Sequence, residues 1–451
     1  MFVLDRAASN LGEQLAGKLR EAIGDGRLGA GTRLPASRDL AAELGVSRGV
    51  VVGVYEQLRA EGRLASRAGS GTYVAAGASP GPPVPPREPA PVAPLRPGIP
   101  DLNLFPRRAW RRAYESALAG AAASDLDYGD PAGAPALRAE LAGYLTRVRA
   151  ARVEPAGLLV TTGAAQAFAL LAAALRSRGV TRVGVEDPGS AAIREHLTAA
   201  GLRPVPVPID DCGLDVAALE RTRLAAVVTT PAHQFPTGVV MAPERRGQIL
   251  AWAESADAIV IEDDFDAEYR YDRPPVGALQ GLMPERVVYC GSASKTLAPT
   301  LRLGWIVAPG QLVRELVDQV LYTAIAPPRL EQLAFADFLL RGELDRHLRR
   351  MRLRYRRRRD ELVRSLAREL PDVRVRGLAA GLYVEAVLPA GLDERRVVEE
   401  ARARGIGLSG MGEHCERTVR EPALLLGYAV TPEPGLRQAV KVLAEAVRAA
   451  A

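Results

Sequence analysis

Lysine is rare in this sequence. Of 59 basic residues only Lys18, Lys295 and Lys441 are lysines, so arginine serves wherever a plain positive charge suffices. Lys295 closes the run Ser292-Ala293-Ser294-Lys295, directly after the apolar stretch Val287–Gly291. A primary amine is the only side-chain group able to form a Schiff base with an aldehyde. Burial and neighbouring cations would lower its pKa and free the lone pair. Asp263 follows another apolar stretch, Ala258–Glu262, and is suited to holding a pyridine nitrogen protonated. Gly163-Ala164-Ala165 stands where a helix is expected to begin, so its free amides can hold a phosphate. Ser292, Ser294 and Arg302 add two hydroxyls and a guanidinium for the same group. A phosphate cup, a carboxylate for a ring nitrogen and a lysine together specify pyridoxal 5'-phosphate (PLP). Singly, each residue has an ordinary reading: Asp263 and Asp264 as strand-end acids, His233 as a hydrogen-bonded loop histidine, Cys290 as core packing. The combination carries the expectation.

Five apolar runs must position these groups: Leu158–Thr162, Arg182–Val185, Leu224–Thr230, Ala258–Glu262 and Val287–Gly291. Small or polar residues gather after each of them. In open parallel sheets that edge is where ligands bind. Ala/Leu/Arg stretches with helical spacing lie between the runs, which predicts βαβ units and an α/β fold with a mostly parallel sheet.

The chain has 451 residues and a formal net charge of +6. That length suggests more than one domain. The charge permits contact with nucleic acid without demonstrating it. Cys212, Cys290 and Cys415 are too far apart for a disulfide framework, there is no CxxC pair, and the four histidines are scattered, so no metal site is expected. The start, MFVLDRAASN, does not read as a signal peptide, and no apolar run is long enough to span a membrane. A cytoplasmic protein is expected. Residues 76–100 carry ten prolines and read as a semi-rigid linker. It separates a head, 1–75, from a body, 101–451. The Arg-rich stretch Arg346–Arg359 reads as a helix with a solvated or acid-facing surface; a nucleic-acid patch is the rival reading.

In the head, Gln14–Ile23 has helical spacing. Ser37 is expected to cap a short helix over Arg38–Leu44, and Gly45 to turn the chain. Ser47 is expected to cap a second helix that buries Val50, Val51, Val54, Tyr55 and Leu58. RLASRAGSGTYV reads as a hairpin with Gly69-Ser70-Gly71 at its tip. Two short helices and a hairpin make a winged helix-turn-helix. Ser47 and Arg48 would enter the major groove, where Arg can take two acceptors of a guanine. Ser37 and Arg38 suit a phosphate, and the glycine tip allows close backbone approach by Gly69 and Ser70. The segments LPASR, LAAELGVSR, YEQLRAEG and RAGSGTYV closely resemble the winged-helix domain of the GntR family. That resemblance covers 11–75 and implies binding to double-stranded operator DNA. Gly49 departs from it, standing where the family usually has a polar residue.

YGDPAG, TTGAAQA, EDPG, TPAHQFPTG, IEDDFDAEYRY and SASKTLAPTLRLGW resemble fold-type-I aminotransferases. With the head, the whole chain resembles the MocR family of GntR regulators. The resemblance implies a PLP-dependent domain with a smaller C-terminal α+β subdomain. It implies Lys295 as the PLP lysine, Asp263 as the ring-nitrogen partner, and Arg302 and Ser292 as phosphate ligands. It implies that Tyr128 reaches the phosphate in the partner subunit of a homodimer, and that Gln234 or His233 lies near the ring oxygen. An arginine for an effector carboxylate is expected near the C-terminus, at Arg417 or Arg420. Ser190 and Phe265 each stand where relatives often have tyrosine, which removes two hydroxyls beside the cofactor. The expected function is a PLP-dependent transcription regulator sensing a small-molecule amine or PLP itself. Its rivals are a working aminotransferase with a DNA-binding head, and a repressor whose body has lost the cofactor.

Overall fold

The head begins with α1 (Leu11–Gly24), whose first turn is capped by Asn10, accepting from the Glu13 amide at 3.3 Å. The computed structural model describes residues 4–5, 10–67, 70–76, 94–271, 276–323, 327–377 and 379–451. Gly69 and most of the proline-rich stretch lie outside them. Chain contacts divide the molecule into two units, Met1–Ala90 and Pro91–Ala451.

In the head, α2 (Ser37–Leu44) ends at Gly45, whose φ of +63° turns the chain sharply. Ser47 then caps α3 (Arg48–Ala60), accepting from the Val50 amide at 3.4 Å. Ser37 behaves differently from expectation. It is the first residue of α2, and Ala36 occupies the cap position with no side-chain bond. The buried face of α3 is Val51, Val54, Tyr55 and Leu58, while Val50 is half-buried. These pack with Leu15, Leu19 and Ile23 of α1 and Leu40 and Leu44 of α2 into one small core. The wing is β1 (Leu64–Arg67) antiparallel to β2 (Gly71–Val74). Arg59 of α3 donates to the Ser66 hydroxyl at 2.9 Å and braces it.

The body is built on an eight-stranded sheet. Its strands are β3 (Leu158–Thr161), β4 (Arg182–Asp187), β5 (Arg203–Asp210), β6 (Gly213–Leu214), β7 (Ala226–Thr229), β8 (Ile259–Asp264), β9 (Val287–Ser292) and β10 (Gly304–Val307). Their order is β3-β10-β9-β8-β7-β4-β5-β6. The central block β5-β4-β7-β8-β9 is parallel, joined by helical crossovers. All five expected runs form strands of this sheet. β10 is antiparallel to both neighbours and wedges between β9 and β3. Buried residues alternate along β8: Ile261 joins the core on one face, Val260 the core on the other. Burying each contributes about 1.5–3 kcal/mol.

The smaller C-terminal subdomain has four antiparallel strands: β11 (Arg374–Arg376), β12 (Tyr383–Val387), β13 (Ser409–Gly410) and β14 (Ala423–Gly427). Their order is β11-β12-β14-β13. Helices 394–403 and 433–450 bury Val397, Leu436, Val440 and Leu443 in the core that these strands share. Among the described residues no helix is long and apolar enough to cross a membrane.

Candidate functional site

Strand alternation separates the paired acids at the end of β8. Asp263 faces a cavity of about 420 Å3, and Asp264 faces the other way. There Asp264 accepts from Arg149 Nε at 2.6 Å and from the Tyr289 hydroxyl at 2.5 Å. Arg149 and Asp264 are both almost wholly buried, and the guanidinium also donates to the Val276 carbonyl. This pair anchors the end of β8 from behind, which fixes where Asp263 points.

The cavity gathers residues from far apart in the chain: Ala164 and Ala165, Asp263, Ser292 and Ser294, Lys295, and Arg302. Gly163 caps the helix Ala164–Ser177 with no side-chain bond, leaving the first-turn amides available. Its φ of +113° favours glycine, and a Cβ there would lie 3.3 Å from Arg302 Nη2. Arg302 itself sits in the left-handed region at φ +49°, a conformation uncommon outside glycine. Helix N-terminus, two hydroxyls and an exposed guanidinium thus line one cavity.

Lys295 lines the same cavity. Burial lowers the pKa of its amine and Arg96 adds to that, while Asp266 and Asp263 pull it back up. Nζ donates to the Gly98 carbonyl. Burial, reinforced by the charges of Asp264, Asp266 and Glu186, pushes the Asp263 carboxyl up to about 7, with Lys295 pulling the other way. A cationic ring nitrogen beside Asp263 would relieve that cost. Asp266 is buried and leaves Oδ2 without a hydrogen-bond partner among the described residues. A polar cofactor with one anionic and one cationic end fits this set of donors and acceptors.

The two loop residues expected at the ring oxygen have other partners. Gln234 is buried and its amide is fully engaged. Nε2 donates to Glu186 Oε2 at 3.1 Å, the Pro188 carbonyl at 2.9 Å and the Phe235 carbonyl at 2.6 Å. Its Oε1 accepts from the Thr237 amide and hydroxyl. His233 is paired through Nδ1 to Asp266 Oδ1 at 2.9 Å. Neither residue lines the cavity; Phe235 and Phe265 do. The Glu186 carboxylate explains the arrangement, since Thr229 and Thr230 also donate to it and tie the loop to β4.

Arg417 and Arg420 also lie away from the cavity. Arg417 is exposed, and Arg420 borders a separate surface pocket of about 320 Å3. Asp187 holds their loop by accepting the amides of Glu416, Arg417 and Thr418, each at 2.8 Å. Burial alone would raise the Asp187 pKa; these bonds keep it low. Tyr128 is 99% exposed and is not part of this chain's own cavity wall. Sequence reasoning missed Pro97 and Gly98, which line the cavity from the end of the proline-rich stretch. It also missed the His233–Asp266 pair. The aspartate of the FDAEY segment was the available signal.

In the head, Ser47, Arg38 and Arg48 are exposed, and Ser37 is half-buried. Arg48 is the first residue of α3 and so stands at its N-terminal tip. Tyr55 donates to the Pro35 carbonyl at 3.0 Å, tying α3 to the start of α2. Ser70 contacts the Tyr73 hydroxyl at 2.6 Å across the wing tip.

Residues 98–405 match the family described as aminotransferase class I and II, and residues 11–74 match bacterial regulatory proteins, gntR family. The HTH-type pyridoxine biosynthesis transcriptional regulator PdxR of Corynebacterium glutamicum is 33% identical over 96% of this chain and 95% of its own. The probable rhizopine catabolism regulatory protein MocR of Rhizobium meliloti is 34% identical over 99% and 96%. The chain belongs to the MocR family of GntR-type regulators. Its body also matches Pyrococcus horikoshii kynurenine aminotransferase, with a TM-score of 0.72, 26% identity, and 79% and 91% of the two chains covered. This member of the family is a DNA-binding transcription regulator whose body has the fold-type-I architecture and binds PLP.

Proposed function

We propose that Lys295 carries PLP covalently and that PLP occupancy of this cavity sets the affinity of the head for operator DNA. The observation that carries this is the convergence of Lys295, Asp263, Arg302 and an uncapped helix N-terminus on one cavity. The amides of Gly163, Ala164 and Ala165, with Ser292, Ser294 and Arg302, receive the phosphate. Asp263 keeps the ring nitrogen protonated. PLP supplies an aldehyde for the lysine and an electron-withdrawing ring.

The signal is PLP itself rather than an amino acid. Three observations support that reading. Arg417 and Arg420 are not among the residues that line the cavity. Ser190 and Phe265 line the cavity where relatives often carry tyrosine, and the Ser190 hydroxyl accepts from the Ile193 amide at 3.4 Å. The relative PdxR is named for pyridoxine biosynthesis. The regulator works as a cytoplasmic homodimer, with the exposed Tyr128 completing the partner's phosphate site. In the head, Arg48 and Ser47 read bases, while Ser37, Arg38 and the wing residue Ser70 hold the backbone.

Regulation requires that PLP bind two states of the protein unequally. A gel shift with DNA from upstream of this gene and its neighbours, with and without PLP, tests that. A PLP-dependent change in DNA affinity, lost in Lys295→Ala, supports the reading; identical affinities contradict it. The rival reading is a working aminotransferase. It is favoured by 30% identity to the aromatic-amino-acid aminotransferase 1 of Thermococcus litoralis over 78% of this chain. Sustained turnover of an amino acid with a keto acid would establish it.

A further inference from the structure

The helix Glu343–Glu369 carries the arginine-rich stretch, and its arginines divide by what they touch. Some are structural: Arg358 is buried against Asp101 at 2.9 Å, and Arg352 donates to the Glu268 carbonyl at 2.6 Å. Arg346, Arg350 and Arg354 differ. They recur every four residues, so they share one exposed face over about 12 Å of helix. Across from them, the helix Arg107–Gly120 presents Arg107, Arg108 and Arg112. The two rows border a groove of about 570 Å3.

The groove is short of negative charge. Its one carboxylate, Glu343, takes Arg112 at 3.1 Å and Arg346 at 2.8 Å. Arg107, Arg108, Arg350 and Arg354 have no carboxylate partner among the described residues. Arg350 instead lies 3.3 Å from His347 Nδ1. Facing rows of guanidiniums repel each other unless an anion lies between them. The groove is open and its guanidiniums are exposed in a line, which suits an extended strand of phosphates better than a single enclosed anion.

We propose that this groove of the body binds the phosphate backbone of double-stranded DNA, a contact separate from the base-reading surface of the head. It goes beyond the function proposed above, because neither PLP nor the operator sequence enters it. It contributes affinity without sequence information.

The test uses the full chain loaded with PLP and two scrambled-sequence duplexes. One is just long enough for the paired heads, the other several turns longer. Binding is followed by fluorescence anisotropy across a salt series. For the longer duplex, the double variant Arg350→Glu/Arg354→Glu should lose about tenfold in affinity, and the slope of log K against log salt should fall by about 2. Binding of the short duplex should stay at wild-type level. The milder Arg350→Gln/Arg354→Gln should lose less, and both should keep the PLP absorbance of the parent. Wild-type affinity and slope on the longer duplex overturn the proposal, as does an equal loss on both duplexes. Failure here leaves intact the PLP-dependent shift at the operator, which is read separately.

Discussion

The reading surface of the head comes from one continuous stretch, residues 37–73, whereas the cavity of the body draws on residues between Pro97 and Ser409. In the head, local rules place the side chains: a serine cap, a glycine turn and a short hairpin set where Arg48 stands. In the body, long-range packing does. Asp263 points correctly because Asp264 on the same strand is held by Arg149, 115 residues away. A surface built locally can tolerate substitution one contact at a time. A site built from strand ends depends on buried supports that never touch the ligand.

The largest effect that separates the two modes is therefore expected behind the cavity. Asp264→Ala leaves the Arg149 guanidinium buried without its partner and should cost about 3–5 kcal/mol. Urea unfolding of the body should read that loss, and the head's own transition should not move. A loss below 1 kcal/mol, on the scale of an exposed pair, would remove the support argument.

Asp263→Asn should act in opposite senses on stability and on binding. The folded carboxyl is raised to about 7, well above its unfolded value. The cofactor-free folded state therefore holds a proton that the unfolded chain releases between those two values. Stability falls as pH rises through that window, and the loss is complete above it. Asparagine removes the penalty. The cofactor-free variant should be more stable than the parent at about pH 8, by roughly 1–3 kcal/mol, with the gap closing toward about pH 4. PLP affinity should fall by about tenfold to a hundredfold, as expected for losing a charge-assisted hydrogen bond. Thermal melts and PLP titration check the two halves; a variant that holds PLP as tightly as the parent would misplace the ring nitrogen.

The head should respond position by position. Arg48→Ala is expected to cost about 1–3 kcal/mol of discrimination at one base pair, with binding to scrambled DNA little changed. Unchanged operator discrimination would count against base reading there. Ser47→Ala, which removes the cap of α3, should cost about 1 kcal/mol of head stability in thermal unfolding. No measurable change would mean that tertiary packing alone holds that turn.

The same contrast explains what the sequence made legible. The serine at 47, the glycine at 45 and the alternating wing residues follow short-range rules, so the head could be read almost residue by residue. Ser37 slipped by one position because an alanine can end an extended segment as well as a serine can. In the body the strand ends were readable as a class, since each apolar run stops at polar residues. Their partners were not. β10 is a short antiparallel insertion, and Gly304–Val307 has no polar terminus to mark it. Gln234 looked like a cofactor contact because it stands in a motif loop; its bonds to Glu186 and Pro188 arise only when β4 lies alongside. Pro97 and Gly98 lay hidden in a segment whose composition spoke for a linker.

The central claim is a covalent link between Lys295 and the aldehyde of PLP. Purified protein is incubated with PLP, reduced with borohydride, digested and analysed by mass spectrometry. A phosphopyridoxyl group is expected on the peptide containing Lys295, with an unmodified counterpart from Lys295→Ala. Protein that stays colourless with PLP and carries no adduct after reduction, or an adduct fixed only to Lys18 or Lys441, would contradict it.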